Sequence, residues 1–405
     1  MSGNLRIVYV APLSPDPPTS GGAIRIDGIR RALGRISAAF QLVVLGDRPP
    51  PAARRRLRAE GAVILPPRVE TFRARLCRIG WAAATGRCIP SARYLSERRV
   101  ARLARRLAGW RPDVIVLGEV YMAPMIPALA ALGARIVVDT HDAASRVHAR
   151  IGAASGNVGL KLGFALLAHD TRRVERRWLP EVDQLWTASE EDAAFYRSEV
   201  GLARVEVVPN VVPFPPVPAA EEEDGAVVFT GSFGYWPNED AALRLIELTR
   251  ALADRGLVRR VYLVGISPTE RMRRAAAGLP HVVITGRVPE VAPYLLRAQV
   301  VAAPLSAGSG TRLKILEAMA SARPVLTTPV GAEGLGAVPG VHAEVVPLER
   351  FGDALAALLR DPARRATLAR EGRAFAEARY SPAALEARLR AVLDGLATPA
   401  VARPG

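Results

Sequence analysis

The sequence predicts an α/β protein of two doubly wound parallel-sheet domains, and three observations carry that expectation. Short runs rich in Val, Ile and Leu alternate with longer stretches of helical periodicity, the pattern of strands buried on both faces and joined by crossover helices. The series occurs twice, on either side of an aperiodic, proline-rich tract. At 405 residues the chain is also far longer than the ~100–150 residues of a common single domain.

Taken in order, the first series places strands at Leu5–Ala11, Gln41–Leu45, Ala62–Leu65, Val114–Leu117, Arg135–Val138, Gln184–Thr187 and Val205–Val208, with helices between them. The tract 210–225, NVVPFPPVPAAEEEDG, sets prolines against an acidic run and suits a linker. A second series follows at Ala226–Thr230, Arg260–Val264, Val282–Thr285, Val300–Ala303, Pro324–Thr327 and His342–Val346. The expected organisation is a domain over 1–209, the linker, a domain over 226–380, a C-terminal helix over 381–396 packing back toward the first domain, and a frayed tail over 397–405. Ligands of open parallel sheets sit beyond the carboxyl ends of the strands, so two such domains are expected to face a central cleft. The candidate residues are those that directly follow strands.

Composition narrows the class. Half the residues are hydrophobic and 23% are charged, which fits a globular chain and excludes disordered, collagenous and coiled-coil architectures. No apolar run approaches the ~20 residues of a membrane-spanning helix, since 160–168 is broken by Lys161. The N-terminus enters a strand without a basic, cleavable leader, so a cytoplasmic protein is expected. Cys77 and Cys88 are too few for a disulfide scaffold or a cysteine-rich metal site.

The net charge of +16 is concentrated. Lys161 and Lys314 are the only lysines, which marks a chain-wide arginine bias, and residues 51–111 hold sixteen arginines against three glutamates. That segment carries two amphipathic stretches, one with Phe72, Leu76, Ile79 and Trp81, the other with Leu95, Val100, Leu103 and Leu107 opposite Arg98, Arg99, Arg102, Arg105 and Arg106. A solvated helix face explains them, and so does peripheral contact with an anionic membrane. No nucleic-acid-binding motif accompanies the charge, so no nucleic-acid partner is expected.

Three strand-to-helix turns carry the chemistry. Gly21 and Gly22 precede an amphipathic helix, where paired glycines and a helix N-terminus let backbone N–H groups approach an anion; a purely geometric glycine turn reads the same way. In Gly308-Ser309-Gly310-Thr311-Arg312-Leu313-Lys314, small residues lead into a helix whose first turn holds two cations. Cations there oppose the helix dipole unless an anion offsets them. Glu317, one and a half turns in, is placed to accept hydrogen bonds from vicinal sugar hydroxyls. In Gly231-Ser232-Phe233-Gly234-Tyr235-Trp236-Pro237-Asn238 the loop follows a strand, and Asn238 is a candidate N-cap. His141 follows the fifth strand beside Asp142 and Arg146. No His, Cys or carboxylate group has metal-ligand spacing.

The run SGTRLKILEAMASARPVLTTPVGAEG resembles the donor-binding signature of family 4 glycosyltransferases, and YVAPLSPDPPTSGGAIR, VVDTHDAASR, ASEEDAAFYR, VVPNVV and FTGSFGYWPNEDA resemble further elements of that family. The resemblance implies a GT-B fold of two Rossmann-like domains and retaining transfer from a nucleotide-diphospho-sugar without a metal or other cofactor. It places Gly21, Gly22, Gly231, Ser232, Gly308, Ser309, Gly310 and Thr311 around the donor, with Arg312 and Lys314 on the diphosphate. Glu317 falls on the ribose, Arg287 and Val288 on the loop bracketing the base, and His141 against the sugar. Ser309 stands where the family's first glutamate is usual, and Ser232 with GYWPN where an arginine and a lysine are common, so the donor sugar stays open. The acceptor implied is a saccharide, a lipid-linked glycan or a small natural product. A nucleotide-sugar epimerase, a phosphorylase and a weakly catalytic donor-binding subunit are the alternatives.

Overall fold

The computed structural model describes residues 2–18, 20–46, 48–65, 91, 95–154, 157–217, 222–308 and 312–397. The chain divides into two compact units, Met1–Val211 with Leu385–Gly405, and Val212–Ala384.

The first unit is built on seven parallel strands, β1 (Arg6–Ala11), β2 (Ala39–Val44), β3 (Val63–Ile64), β4 (Val114–Gly118), β5 (Arg135–Asp139), β6 (Gln184–Thr187) and β7 (Val205–Val207). Their order is β3-β2-β1-β4-β5-β6-β7, so the winding reverses between β1 and β4. Period-two alternation gives the sheet two apolar faces. Val8, Val10, Ile115, Leu117 and Val138 point into one core, and Ile7, Tyr9, Val114, Val116 and Val137 into the other. The Gly21–Ile36 helix lays Ile26, Ile29, Leu33 and Ile36 on the second face, where Leu385, Leu389, Val392 and Leu393 of the Pro382–Ala397 helix also pack. Each such burial contributes about 1.5–3 kcal/mol.

The arginine-rich Glu97–Trp110 helix spends its apolar side on this unit, since Leu103 and Leu107 are fully buried in the first core. Arg98, Arg102, Arg105 and Arg106 are exposed, while Arg99 donates to the carbonyls of Leu45 and Leu65 at 2.6 Å each. Phe72, Leu76, Ile79, Trp81, Cys77 and Cys88 lie outside the described residues.

The second unit carries six parallel strands, β8 (Ala226–Thr230), β9 (Arg260–Val264), β10 (Val282–Gly286), β11 (Val300–Ala303), β12 (Val325–Thr327) and β13 (Glu344–Val345). The order β10-β9-β8-β11-β12-β13 again reverses its winding, here between β8 and β11. Residues 212–217 belong to this unit. Val212 N–H donates to the Tyr380 carbonyl at 3.1 Å, and the Arg373 guanidinium stands 5.7 Å from the Phe214 ring. Among the described residues no helix is long and apolar enough to cross a membrane.

Candidate functional site

In the second unit the reversal between β8 and β11 opens a crevice at their carboxyl ends, and Gly231 and Ser232 leave β8 there. The chain leaving β11 enters the Leu313–Ala320 helix, whose Lys314 Nζ lies 2.5 Å from Asn238 Oδ1 and 4.7 Å from the Phe229 ring centre. Asn238 Nδ2 donates to the Ser232 carbonyl at 2.8 Å, so one amide ties the β8 loop to the lysine. Asn238 is not the N-cap that the sequence suggests. The helix spans Trp236–Asp254 with Tyr235 at the cap, because Pro237 fits the first turn, where its missing N–H costs nothing. Close backbone approach fixes the crevice wall: a Cβ on Gly265, at the exit of β9, would lie 1.7 Å from the Gly231 carbonyl oxygen.

Burial, with Arg312 nearby, holds the Lys314 ammonium down at about 7. Burial likewise pushes the Glu317 carboxyl up to about 7, against the pull of Lys314. Both groups are therefore near the point of losing charge, and among the described residues Lys314 forms no ion pair. Arg312 occupies the N-cap position and turns elsewhere, donating to the Val330 carbonyl at 3.1 Å and lying 3.8 Å from Glu333. Gly308 sits beneath that guanidinium. Arg287 is exposed after the turn at Gly286, while Val288 is half-buried against the core. Ser309, Gly310 and Thr311 lie outside the described residues.

In the first unit the corresponding crevice is lined by the ends of β1, β4 and β5. Ser20 caps the Gly21–Ile36 helix, its hydroxyl accepting from Ala23 N–H at 3.3 Å. Gly22 is needed because a Cβ there would lie 2.8 Å from His141 Nδ1. His141 Nδ1 is 3.2 Å from Oε1 of Glu119, the residue directly after β4. Burial, and then Asp142, pushes the Glu119 carboxyl up to about 8, and burial holds the imidazole down at about 4. Between those values both are uncharged, so the contact brings two neutral groups together rather than an ion pair. Glu119 Oε2 and His141 Nε2 are buried without a hydrogen-bond partner. Glu119 also holds a φ of 96°, a strained conformation for a residue with a side chain.

A buried polar frame supports this crevice. Asp139, the last residue of β5, accepts from the Tyr9 hydroxyl at 2.7 Å and from Arg25 Nε at 3.0 Å. Arg25 also donates to the Val208 carbonyl at 2.8 Å and to Asn210 Oδ1 at 3.0 Å. Neither Glu119 nor the Arg25–Asp139 pair stands out in the sequence. For Glu119 the available signal was an acid at the carboxyl end of the central strand next to the winding reversal. Among the described residues no group of three or more His, Cys, Asp or Glu side chains is placed to hold a metal ion.

Comparison with known proteins bears on the fold. Residues 224–361 match the family described as Glycosyl transferases group 1. No curated protein matches the chain. Among solved structures, Anabaena Alr3699/HepE in complex with UDP and glucose is similar with a TM-score of 0.67 at 14% identity, covering 97% of this chain and 100% of that one. A glycosyltransferase from Rickettsia africae gives 0.69 at 12% identity, covering 98% and 100%. Sucrose-phosphate synthase from Thermosynechococcus elongatus gives 0.66 at 16% identity, covering 97% and 99%. At these identities the likeness establishes the fold, which is GT-B.

Proposed function

We propose that this glycosyltransferase, with its group 1 match over residues 224–361 and its GT-B fold, moves a sugar from a nucleotide-diphospho-sugar to an acceptor hydroxyl with retention of configuration. The observation that carries the reading is Lys314. A half-buried ammonium beside a glycine loop, with an amide for its hydrogen-bond partner, is the complement of a diphosphate that has yet to bind.

In this reading the second unit holds the nucleotide. Lys314, the Gly231-Ser232 loop and the turn 308–311 take the diphosphate, and Arg312 joins them by leaving Val330. Glu317 accepts from the ribose hydroxyls, and the Arg287-Val288 loop brackets the base. The first unit supplies Gly22 and His141, with the Nε2–H of His141 donating to a sugar oxygen. The bond from the anomeric carbon to the diphosphate oxygen breaks, the acceptor oxygen bonds to that carbon on the same face, and the hydroxyl proton ends on the released diphosphate. Fixed cations and N–H groups stabilise the charge that develops on the leaving group.

The likeness to HepE, solved with UDP-glucose, makes that donor the first to assay. Thermal shift with UDP and UDP-glucose, followed by product analysis with saccharide, lipid-linked and small-molecule acceptors, tests the proposal. A glycoside whose formation withstands EDTA is the expected result. Binding without any glycoside, or isomerised donor in the absence of acceptor, overturns it.

A further inference from the structure

The Val158–Trp178 helix buries only Thr171, Val174 and Glu175, all in its second half. Its first half exposes Val158 by 81%, Leu160 by 56%, Leu162 by 62% and Leu166 by 63%, and these are the four most exposed large apolar side chains among the described residues. Isolated exposed leucines need no explanation, but Val158, Leu162 and Leu166, spaced four residues apart, line one face of the helix and form a patch that marks an interaction surface, with Leu160 exposed on the opposite side.

This helix forms a hairpin with the Ala144–Ala154 helix. At the base, the Ser145 hydroxyl donates to Glu175. Farther along, His148 Nδ1 lies 3.4 Å from Thr171 Oγ1 and its ring 6.3 Å from that of Phe164. An open hollow of about 400 Å³ runs along the hairpin, with Ala149, Ala165 and Ala168 in its lining and Lys161, His169 and Arg172 as its polar members. From 143 to 172 the sequence holds Arg146, Arg150, Lys161 and Arg172 against the single acid Asp170, and Arg146 is paired with Asp192 at 2.6 Å.

We infer that this hairpin docks the protein on an anionic membrane surface, the face with Val158, Leu162 and Leu166 entering the headgroup region and its cations meeting lipid phosphates. Length excludes a span, since residues 158–168, interrupted by Lys161, reach about 15 Å against the roughly 30 Å of a hydrocarbon core. Charge selects lipid over a second copy of the chain, because a symmetric pairing would bring Lys161 and Arg172 against like charges whereas anionic headgroups neutralise them. The Glu97–Trp110 helix is the weaker candidate, since Leu103 and Leu107 are consumed by the core.

The test measures partition of the full-length protein onto vesicles of phosphatidylcholine alone and of equimolar phosphatidylcholine and phosphatidylglycerol. Binding to the mixed vesicles that weakens with salt is expected, together with a loss of about tenfold or more in a Leu162→Asp/Leu166→Asp double variant that melts like wild type. A Leu162→Trp variant is expected to show a blue-shifted emission on the mixed vesicles only. Absence of wild-type partition, wild-type partition by the double variant, or a concentration-dependent dimer that the double variant abolishes would overturn the inference. No donor or acceptor is present, so this outcome is independent of the transfer reaction.

Discussion

His141 Nδ1 lies 3.2 Å from Glu119 Oε1, and burial brings the two groups together uncharged rather than as opposite charges. Below about 8 the Glu119 carboxyl is protonated and has a hydrogen to offer Nδ1, an arrangement that would keep the hydrogen of the neutral imidazole on Nε2, a buried atom with no partner. As pH rises through about 8 the carboxylate draws the hydrogen to Nδ1, and Nε2 changes from donor to acceptor. Turnover is therefore expected to fall on the alkaline side. Glu119→Gln, whose amide donates without ionising, is expected to hold its rate above that point. The pH profile of kcat/KM decides, and an alkaline limb shared by both proteins would sink the tautomer argument.

Stability carries the same signature with a definite sign. The folded pKa of Glu119 lies above its ordinary value of 4.5, so its contribution is fully present below 4.5 and is lost as pH rises through about 8. Asp142, pushed up to about 7 chiefly by burial and then by Asp192, acts in the same direction. Glu119→Gln removes one source of that loss. Its denaturation midpoint is expected to exceed that of wild type at pH 9, with the difference shrinking toward pH 4. Urea titrations at the two pH values supply the comparison.

The strands were legible in the sequence, and the side-chain partnerships were not. Buried parallel strands are continuous apolar runs, so β1, β6, β8, β9 and β11 fall within a residue of their predicted spans. The edge strands β3 and β13 shrink to two residues each, while the edge strand β10 keeps five. Lys314 and Glu317 stood out locally, because cations in a first helical turn conflict with the dipole. Their surroundings did not, since the Asn238–Lys314 contact spans 76 positions and the Arg25–Asp139 contact 114, and no periodicity encodes such distances. Asn238 suggests a cap because capping is a local rule, and Pro237 gives the first turn another solution.

The Arg25–Asp139 pair yields a stability prediction. Both side chains are buried, with 1% and 0% exposure. Replacing Asp139 with Asn leaves the guanidinium charged in the interior and weakens the acceptor for Tyr9, so the variant is expected to lose about 3–5 kcal/mol. Equilibrium unfolding in urea measures the loss. A change below about 1 kcal/mol would mean that water reaches the pair and that the frame beneath His141 is not held by it.

Lys314 is expected to trade stability for ligand affinity. Its folded pKa lies below the ordinary 10.5, so its contribution is present above 10.5 and is lost as pH falls through about 7. At neutral pH the unliganded protein therefore bears the cost of desolvating the ammonium. Lys314→Met removes that cost while keeping much of the side-chain volume, so the melting temperature of the unliganded variant is expected to equal or exceed that of wild type. A bound diphosphate favours the charged lysine and raises its pKa, so UDP binding to wild type at pH 8 is expected to take up a fraction of a proton. Calorimetry in two buffers of different ionisation enthalpy reads that uptake. The variant is expected to lose the uptake, the thermal stabilisation by UDP and at least about tenfold in turnover, which corresponds to roughly 1.4 kcal/mol. Equal UDP affinity and equal proton uptake in the two proteins would place the diphosphate away from the Leu313–Ala320 helix.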